Sequence, residues 1–339
     1  MLQGGSESVR ERILWIDAIK GFGIILVMLA HLTSISSSVF WYLCYGFMPI
    51  FFVMSGITYK SNEDVKTYIK KKVFRLLIPY FFYGFIIILI SGFLDTRINL
   101  VESFIGLLYG RWSIYPLDKE DNILMLGNCN AIAPLWFLLN LFLGYILFFI
   151  YNKIKWKSIF IVLCIMFSII SSYKTILLPW SLDTCFMTFL FIFTGRKLSI
   201  LNNNKIKWYY GILSLAIYFL IGKLNGPTNY SVGMYGSLPF VSVMLFFILG
   251  ILEPLGLSMI FMKINNSTII KILSIIGKNS LRLMCTHIIF RDLIIYIYPK
   301  FAETFTNQVL VVIIIIILNQ LLALIISKGT TRFNLLKFI

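Results

Sequence analysis

Three ionisable side chains bracket the first long apolar run, DAIKGFGIILVMLAHLTS: Asp17, Lys20 and His31. An α-helix turns about 100° per residue, so the eleven steps from Lys20 to His31 return to one face with an offset of about 20°. Asp17 lies three residues before Lys20 and shares that face. The stripe is roughly 16 Å long between Lys20 and His31. The chain has 2 histidines, and an imidazole can take a proton from a hydroxyl near neutral pH. The plainer account lets Lys20 snorkel to an interface, Asp17 pair with it and His31 hydrogen-bond inside a bundle. An ionisable group at membrane depth is costly, however, and usually functional. Gly21 and Gly23 leave room beside the stripe for another helix or a ligand.

A second stripe lies near the end of the chain. Ser280 and His287 are seven residues apart on one helical face, and Arg291 follows four later. It would line the outer half of a bundle and touch an acceptor, or form a structural network with Asp292 or Asp183. Trp136 and Asn140, four residues apart, are candidates for the substrate wall. Packing plus an interhelical hydrogen bond is their plainer reading. Tyr109, Trp112 and Tyr115 could anchor a membrane interface or stack on a sugar ring.

The elements that must position these groups are apolar helices. The chain has 339 residues, 59% hydrophobic and 13% charged, with mean hydropathy +0.88. Soluble domains usually carry about 25% charge. Apolar runs near the spanning length of about 20 residues recur from end to end. Ten spans fit, at 17–36, 40–58, 73–93, 133–151, 158–174, 183–198, 208–222, 237–254, 279–298 and 308–327. The expectation is an all-α polytopic membrane helix bundle forming a single membrane-embedded domain over 1–339. The segment LVESFIGLLYG, in the long connection 94–132, reads as a short interfacial helix.

The net charge of +16 follows position and does not mark a nucleic-acid surface. With the N- and C-termini cytoplasmic, most of the 30 Lys and Arg residues border cytoplasmic segments. Only Arg97, Arg111, Lys119, Lys174, Lys223 and Lys300 fall on the other side, and Arg291 lies within a span. That asymmetry sets orientation. The first apolar run lacks a small-residue cleavage site and reads as a span, not as a signal peptide. Cys44, Cys129, Cys164, Cys185 and Cys285 are scattered, with no metal-ligand spacing and no disulfide framework. No metal is expected.

The spacing of Lys20 and His31 after Asp17 resembles the opening motif of the acyltransferase-3 family of integral membrane acyltransferases, a basic residue and a histidine eleven apart in the first helix. YGFMPIFFVMSGITY (45–59) is similar to that family's second-helix segment, in its fucose-acetylase-like branch of sugar O-acetyltransferases. Phe47 stands before Met48-Pro49 where that branch often has histidine. KKKVFRLLIPYFFYG (70–84) resembles the Arg-x-x-Arg motif that precedes a Pro-Tyr or Pro-Pro pair, with Lys72 and Arg75 at the basic positions. PLWFLLNLF (134–142) and IGKNSLRLMCTH (276–287) also look like family segments, so the resemblance runs along nearly the whole chain.

The resemblance implies an acyl-coenzyme A-dependent O-acyltransferase that moves acetyl from acetyl-CoA to a sugar hydroxyl of a cell-envelope glycan or its lipid-linked precursor. It would lie among the lipids of a bacterial-type cytoplasmic (inner) membrane. Lys72 and Arg75, helped by Lys20, would hold the phosphates of the coenzyme, though lysine lacks the bidentate fork of arginine. His31 would be the general base, with Asp17 balancing Lys20. Ser280, His287, Arg291, Trp136 and Asn140 would meet the acceptor. The competing readings are a transporter or flippase for a glycan or other charged substrate, in which His31 and Arg291 relay or bind, and an acyltransferase in which His287 is catalytic and His31 structural. The first lacks the internal repeats and broken helices of transporters.

Overall fold

The computed structural model describes residues 13–31, 47–59, 64–111, 130–173, 176–199 and 207–329. Within these, helices occupy α1 Leu14–Ala30, α2 Phe47–Ile57, α3 Val65–Leu94, α4 Leu100–Tyr109, α5 Trp136–Lys153, α6 Lys157–Ser172 and α7 Cys185–Leu198. The chain continues through α8 Tyr209–Asn225, α9 Pro239–Lys263, α10 Thr268–Lys278, α11 Ser280–Ile297 and α12 Phe305–Gly329. Four of these segments, Val65–Leu94, Ile132–Lys153, Phe240–Lys263 and Thr306–Leu324, are long and apolar enough to cross a membrane. Their outer faces carry exposed Phe82, Phe85, Leu89, Leu310, Ile313 and Ile317. That surface suits hydrocarbon, and the chain is a helical integral membrane protein.

Each of the ten expected segments overlaps a helix, and four of them fall on the helices long and apolar enough to cross a membrane; positions 32–36, 40–46 and 174 lie outside the described residues. The stretch 255–278, which falls between the expected spans 237–254 and 279–298, is helical on both sides of a turn at 264–267. The ninth helix runs on to Lys263, and α10 follows a Ser267 cap whose Oγ accepts from Ile270 N at 3.3 Å. The apolar face of α10 packs on α1 more extensively than any other helix does. Two glycines allow this approach. A Cβ at Gly21 would meet the Leu273 carbonyl, and one at Gly277 the Asp17 carbonyl. Gly56 and Gly195 bring α2 and α7 together in the same way, against the carbonyls of Ile192 and Val53.

The long connection does contain a helix. Asn99 caps α4 by accepting from Glu102 N at 3.3 Å, and Gly110 ends it at φ 81°, a conformation glycine adopts without a Cβ clash. Beyond it Arg111 is buried and pairs with Asp183, also donating to the carbonyls of Leu178 and Ser231. The Tyr109 hydroxyl donates to Leu177 O at 2.8 Å, so it ties two connections together. Trp112 and Tyr115 lie outside the described residues.

Candidate active site

The two stripes meet. Lys20 of α1 and Ser280 of α11 line one cavity, and Arg291 Nη1 donates to the His31 carbonyl at 2.6 Å. Eleven residues separate the partners on each helix, so α1 and α11 run side by side in the same direction, with equal rise of about 16 Å between the two contacts. At the far contact the rings of His31 and His287 lie 5.3 Å apart between centroids, tilted by 47°. The only two histidines of the chain therefore share one space.

His287 Nδ1 faces two carbonyl oxygens, Leu283 O at 2.9 Å and Met284 O at 3.0 Å. Carbonyls only accept, so Nδ1 carries the hydrogen and Nε2 presents its lone pair. That Nε2 is buried and has no hydrogen-bond partner. A buried acceptor left in this way is ready to take a hydrogen bond from a hydroxyl. Arg291 also holds Asp292, Nη2 to Oδ1 at 2.7 Å. Its guanidinium thus spans from a neighbouring carboxylate to the C-terminal end of α1, where a cation suits the helix dipole. Asp183, the other acid weighed for this network, is occupied by Arg111.

The cation-lined cavity is about 70 Å³, bounded by Lys20, Arg75, Ser280, Ser55, Tyr145 and the apolar Phe51, Phe137, Leu141 and Met284 among others. Local sequence explains the mouth. Pro79 cannot donate to the Arg75 carbonyl four residues earlier, and its ring would clash there. The helix opens into a π-turn over Val73–Leu77, with Ile78 N bonded to Val73 O, which gives the ring room. Arg75 sits in this widened turn, exposed at one side and lining the cavity at the other. Lys72, just before it, lies 3.3 Å from the centroid of the Tyr145 ring and 5.3 Å from that of Tyr68. Both basic positions of the third-helix motif therefore converge on Tyr145.

The deep end of the cavity stops at Met284, one helical turn short of His287. At about 70 Å³ the space is too small for an extended ligand. Asp17 is not among the lining residues, and its carbonyl is taken up in the contact with Gly277. Phe137 and Leu141 face the cavity, whereas Trp136 and Asn140 beside them turn elsewhere. Trp136 packs edge-on against Tyr230, with centroids 5.5 Å apart, and Asn140 Nδ2 donates to Thr184 Oγ1 at 2.9 Å. The sequence reading missed Tyr145 and Ser55. Both are polar tips within long apolar runs, which is the one signal that marks them.

No cluster of His, Cys, Asp and Glu that could hold a metal occurs among the described residues. Neither curated proteins nor solved structures yield a match to the chain. The acyltransferase-3 family model, described as an acyltransferase domain, matches residues 13–328. That range takes in both histidines, all three cations of the mouth and nearly the whole bundle, and so the chain belongs to the acyltransferase-3 family, as a membrane acyltransferase.

Proposed function

We propose that the protein transfers an acyl group, acetyl first of all, from acyl-coenzyme A to a sugar hydroxyl of an envelope glycan or its lipid-linked precursor. The observation that carries this reading is the pairing of a cation-lined mouth with two histidines about 16 Å further along the same helix pair. Lys72, Arg75 and Lys20 supply charge for the coenzyme phosphates. The pantetheine arm then follows the line from Ser280 past Met284. At its end His31 takes the proton as the acceptor oxygen attacks the thioester carbonyl. The C–S bond breaks, and the coenzyme leaves as a thiol once it has regained a proton.

A second assignment of the base is favoured by one specific contact. His287 has its Nδ1 hydrogen fixed on backbone carbonyls and its Nε2 lone pair unused. In that version His287 accepts the hydroxyl proton and His31 orients the acceptor. The positive-inside asymmetry supports a mouth on the cytoplasmic side, where acyl-coenzyme A is made. The direct test incubates purified protein with labelled acetyl-coenzyme A and a panel of glycans and glycolipids. Label on a glycan hydroxyl, lost in His31→Ala, is the expected result. Hydrolysis without transfer to any sugar would remove the sugar acceptor from the reading.

A further inference from the structure

A second site lies away from the histidines, along α6, α7 and α9. An apolar cavity of about 390 Å³ is walled by Ile161 and Ile165 of α6, Leu190 and Phe193 of α7, and Val243 and Phe247 of α9. The two hydroxyl side chains on its wall are turned into their own helices: Ser168 Oγ donates to Cys164 O at 2.8 Å and Thr194 Oγ1 to Leu190 O at 2.9 Å. What remains is hydrocarbon. Directly beyond it, at the ends of the same helices, lies a polar cavity of about 350 Å³. Ser168 borders the first and Ser172, one turn on, borders the second; Val243 borders the first and Ser242 the second. The two cavities are stacked end to end, the apolar one at membrane depth and the polar one under the α8–α9 connection.

That connection is fixed in place. Asn225 Nδ2 donates to Tyr235 O at 2.7 Å, Ser237 N to Asn225 O at 2.9 Å and Asn229 N to Met234 O at 2.7 Å. Gly233 and Gly236, at φ 73° and φ 148°, supply turns that other residues rarely adopt. The wall is then made of Ser172, Ser237, Ser242 and backbone, with Pro227, Met234 and the Tyr235 ring beside them. Ser172 Oγ already donates to Ile169 O at 2.6 Å, and Ser242 Oγ accepts from Leu238 N at 2.9 Å. It is therefore Ser237, the peptide groups and the remaining capacity of those two hydroxyls that face a ligand. None of the described residues that line either cavity is charged.

We propose that this pair of cavities binds a neutral glycolipid, with its acyl chain in the lower cavity and its sugar head in the upper one. At about 30 Å³ per water-sized group, the apolar cavity holds on the order of a dozen methylene-sized units, a large part of one fatty-acyl chain. The polar cavity holds a similar number, more than one hexose ring needs. Hydroxyls, peptide groups and a tyrosine ring suit a sugar, and the described lining residues offer a phosphate no cation to pair with. The exposed apolar face of α6, with Val162, Leu163, Met166 and Phe167, suits hydrocarbon, which puts the cavity wall formed by Ile161 and Ile165 on a helix that borders the bilayer. The site stands apart from the acyl-transfer machinery and does not depend on that reading.

The test is native mass spectrometry of the purified full chain after incubation with an equimolar mixture of monoglucosyl diacylglycerol and phosphatidylglycerol of matched chains. The expected result is retention of the glycolipid at least about 10-fold above the phospholipid. Met244→Trp and Ile165→Trp, from two different helices, fill the apolar cavity and should each lose that preference while keeping the elution volume and helical signal of the parent. Equal retention of both lipids, or glycolipid retention unchanged in a folded Met244→Trp or Ile165→Trp variant, would overturn the proposal. If one variant does not fold, the other decides.

Discussion

The contact between His31 and His287 makes a quantitative claim about their joint removal. With ring centroids 5.3 Å apart, one acceptor hydroxyl can reach both imidazoles, and the proposed reading has the two serve a single proton-transfer step. A positioned acid–base group contributes about 10²–10⁴-fold in rate. Each tenfold is about 1.4 kcal/mol, so the lower bound is about 2.7 kcal/mol for either histidine. If the two acted independently, removing both would cost at least about 10⁴-fold, or roughly 5.4 kcal/mol. Residues that act as a unit are far from additive. His31→Ala and His287→Ala should therefore each lose at least about 10²-fold in turnover, and the double variant should fall no more than a few-fold below the worse single one. The assay is single-turnover transfer from labelled acetyl-coenzyme A in detergent, with folding checked by elution volume. Losses that multiply would separate the histidines into different roles. Near-parental turnover in a folded single variant would remove that residue from the chemistry, and the two singles together decide which imidazole is the base.

The donor mouth predicts that Arg75→Ala weakens coenzyme A binding by about 10- to 100-fold in calorimetry, the scale of a lost charge-assisted contact of about 1.5–3 kcal/mol. Lys72→Ala should do less by itself, because its ammonium already rests on Tyr145, and unchanged affinity in both variants would move the donor site elsewhere. Gly277→Val should unfold the bundle or lower its melting temperature sharply, since a Cβ there meets the Asp17 carbonyl, whereas a parental melting temperature would contradict the close approach of α1 and α10. Asp183→Asn should cost about 3–5 kcal/mol of stability by leaving Arg111 buried without its carboxylate, read as earlier thermal aggregation. For sidedness, single cysteines at positions 66, 118 and 204 in a cysteine-free background should leave only 118 open to an impermeant thiol reagent on intact cells, and labelling at 66 or 204 would invert the orientation.

What could be read from the sequence was whatever acts within one helix. Apolar runs gave the main helices because a span must satisfy its own backbone. The spacing of Lys20 and His31 gave a shared face because the helical repeat is fixed. The α10 helix escaped because Thr268–Lys278 carries Lys271 and Lys278 and is apolar on one side alone. Its stability comes from docking on Gly21, which a search for apolar runs does not see. Pro79 was visible, but the π-turn that accommodates it depends on the turn before. Lys72 and Tyr145 lie far apart in the chain, as do His31 and His287. Each of these residues stood out singly, while their meeting is a property of how α1, α3, α5 and α11 pack.

That packing also sets a physical condition on the proposed chemistry. The cation-lined cavity of about 70 Å³ does not reach either histidine, and its apolar lining includes Phe51, Phe137 and Met284, with Phe51 packed edge-on against Phe137 at 5.5 Å between centroids. A pantetheine arm cannot pass until these side chains turn aside. Methionine turns readily, since it is unbranched and flexible. The aromatic pair resists, because Phe137 is also stacked on Phe52 at 5.0 Å. On the proposed reading, a track closed by apolar side chains would keep water and protons from crossing between the mouth and the histidines when no donor is bound. It would also keep water away from the proposed thioester, for which water would compete with the acceptor hydroxyl. Binding energy from coenzyme phosphates at Arg75 and Lys72 would, on the same reading, be available to open the wall, so that charge at the α3 mouth would control access to the imidazoles.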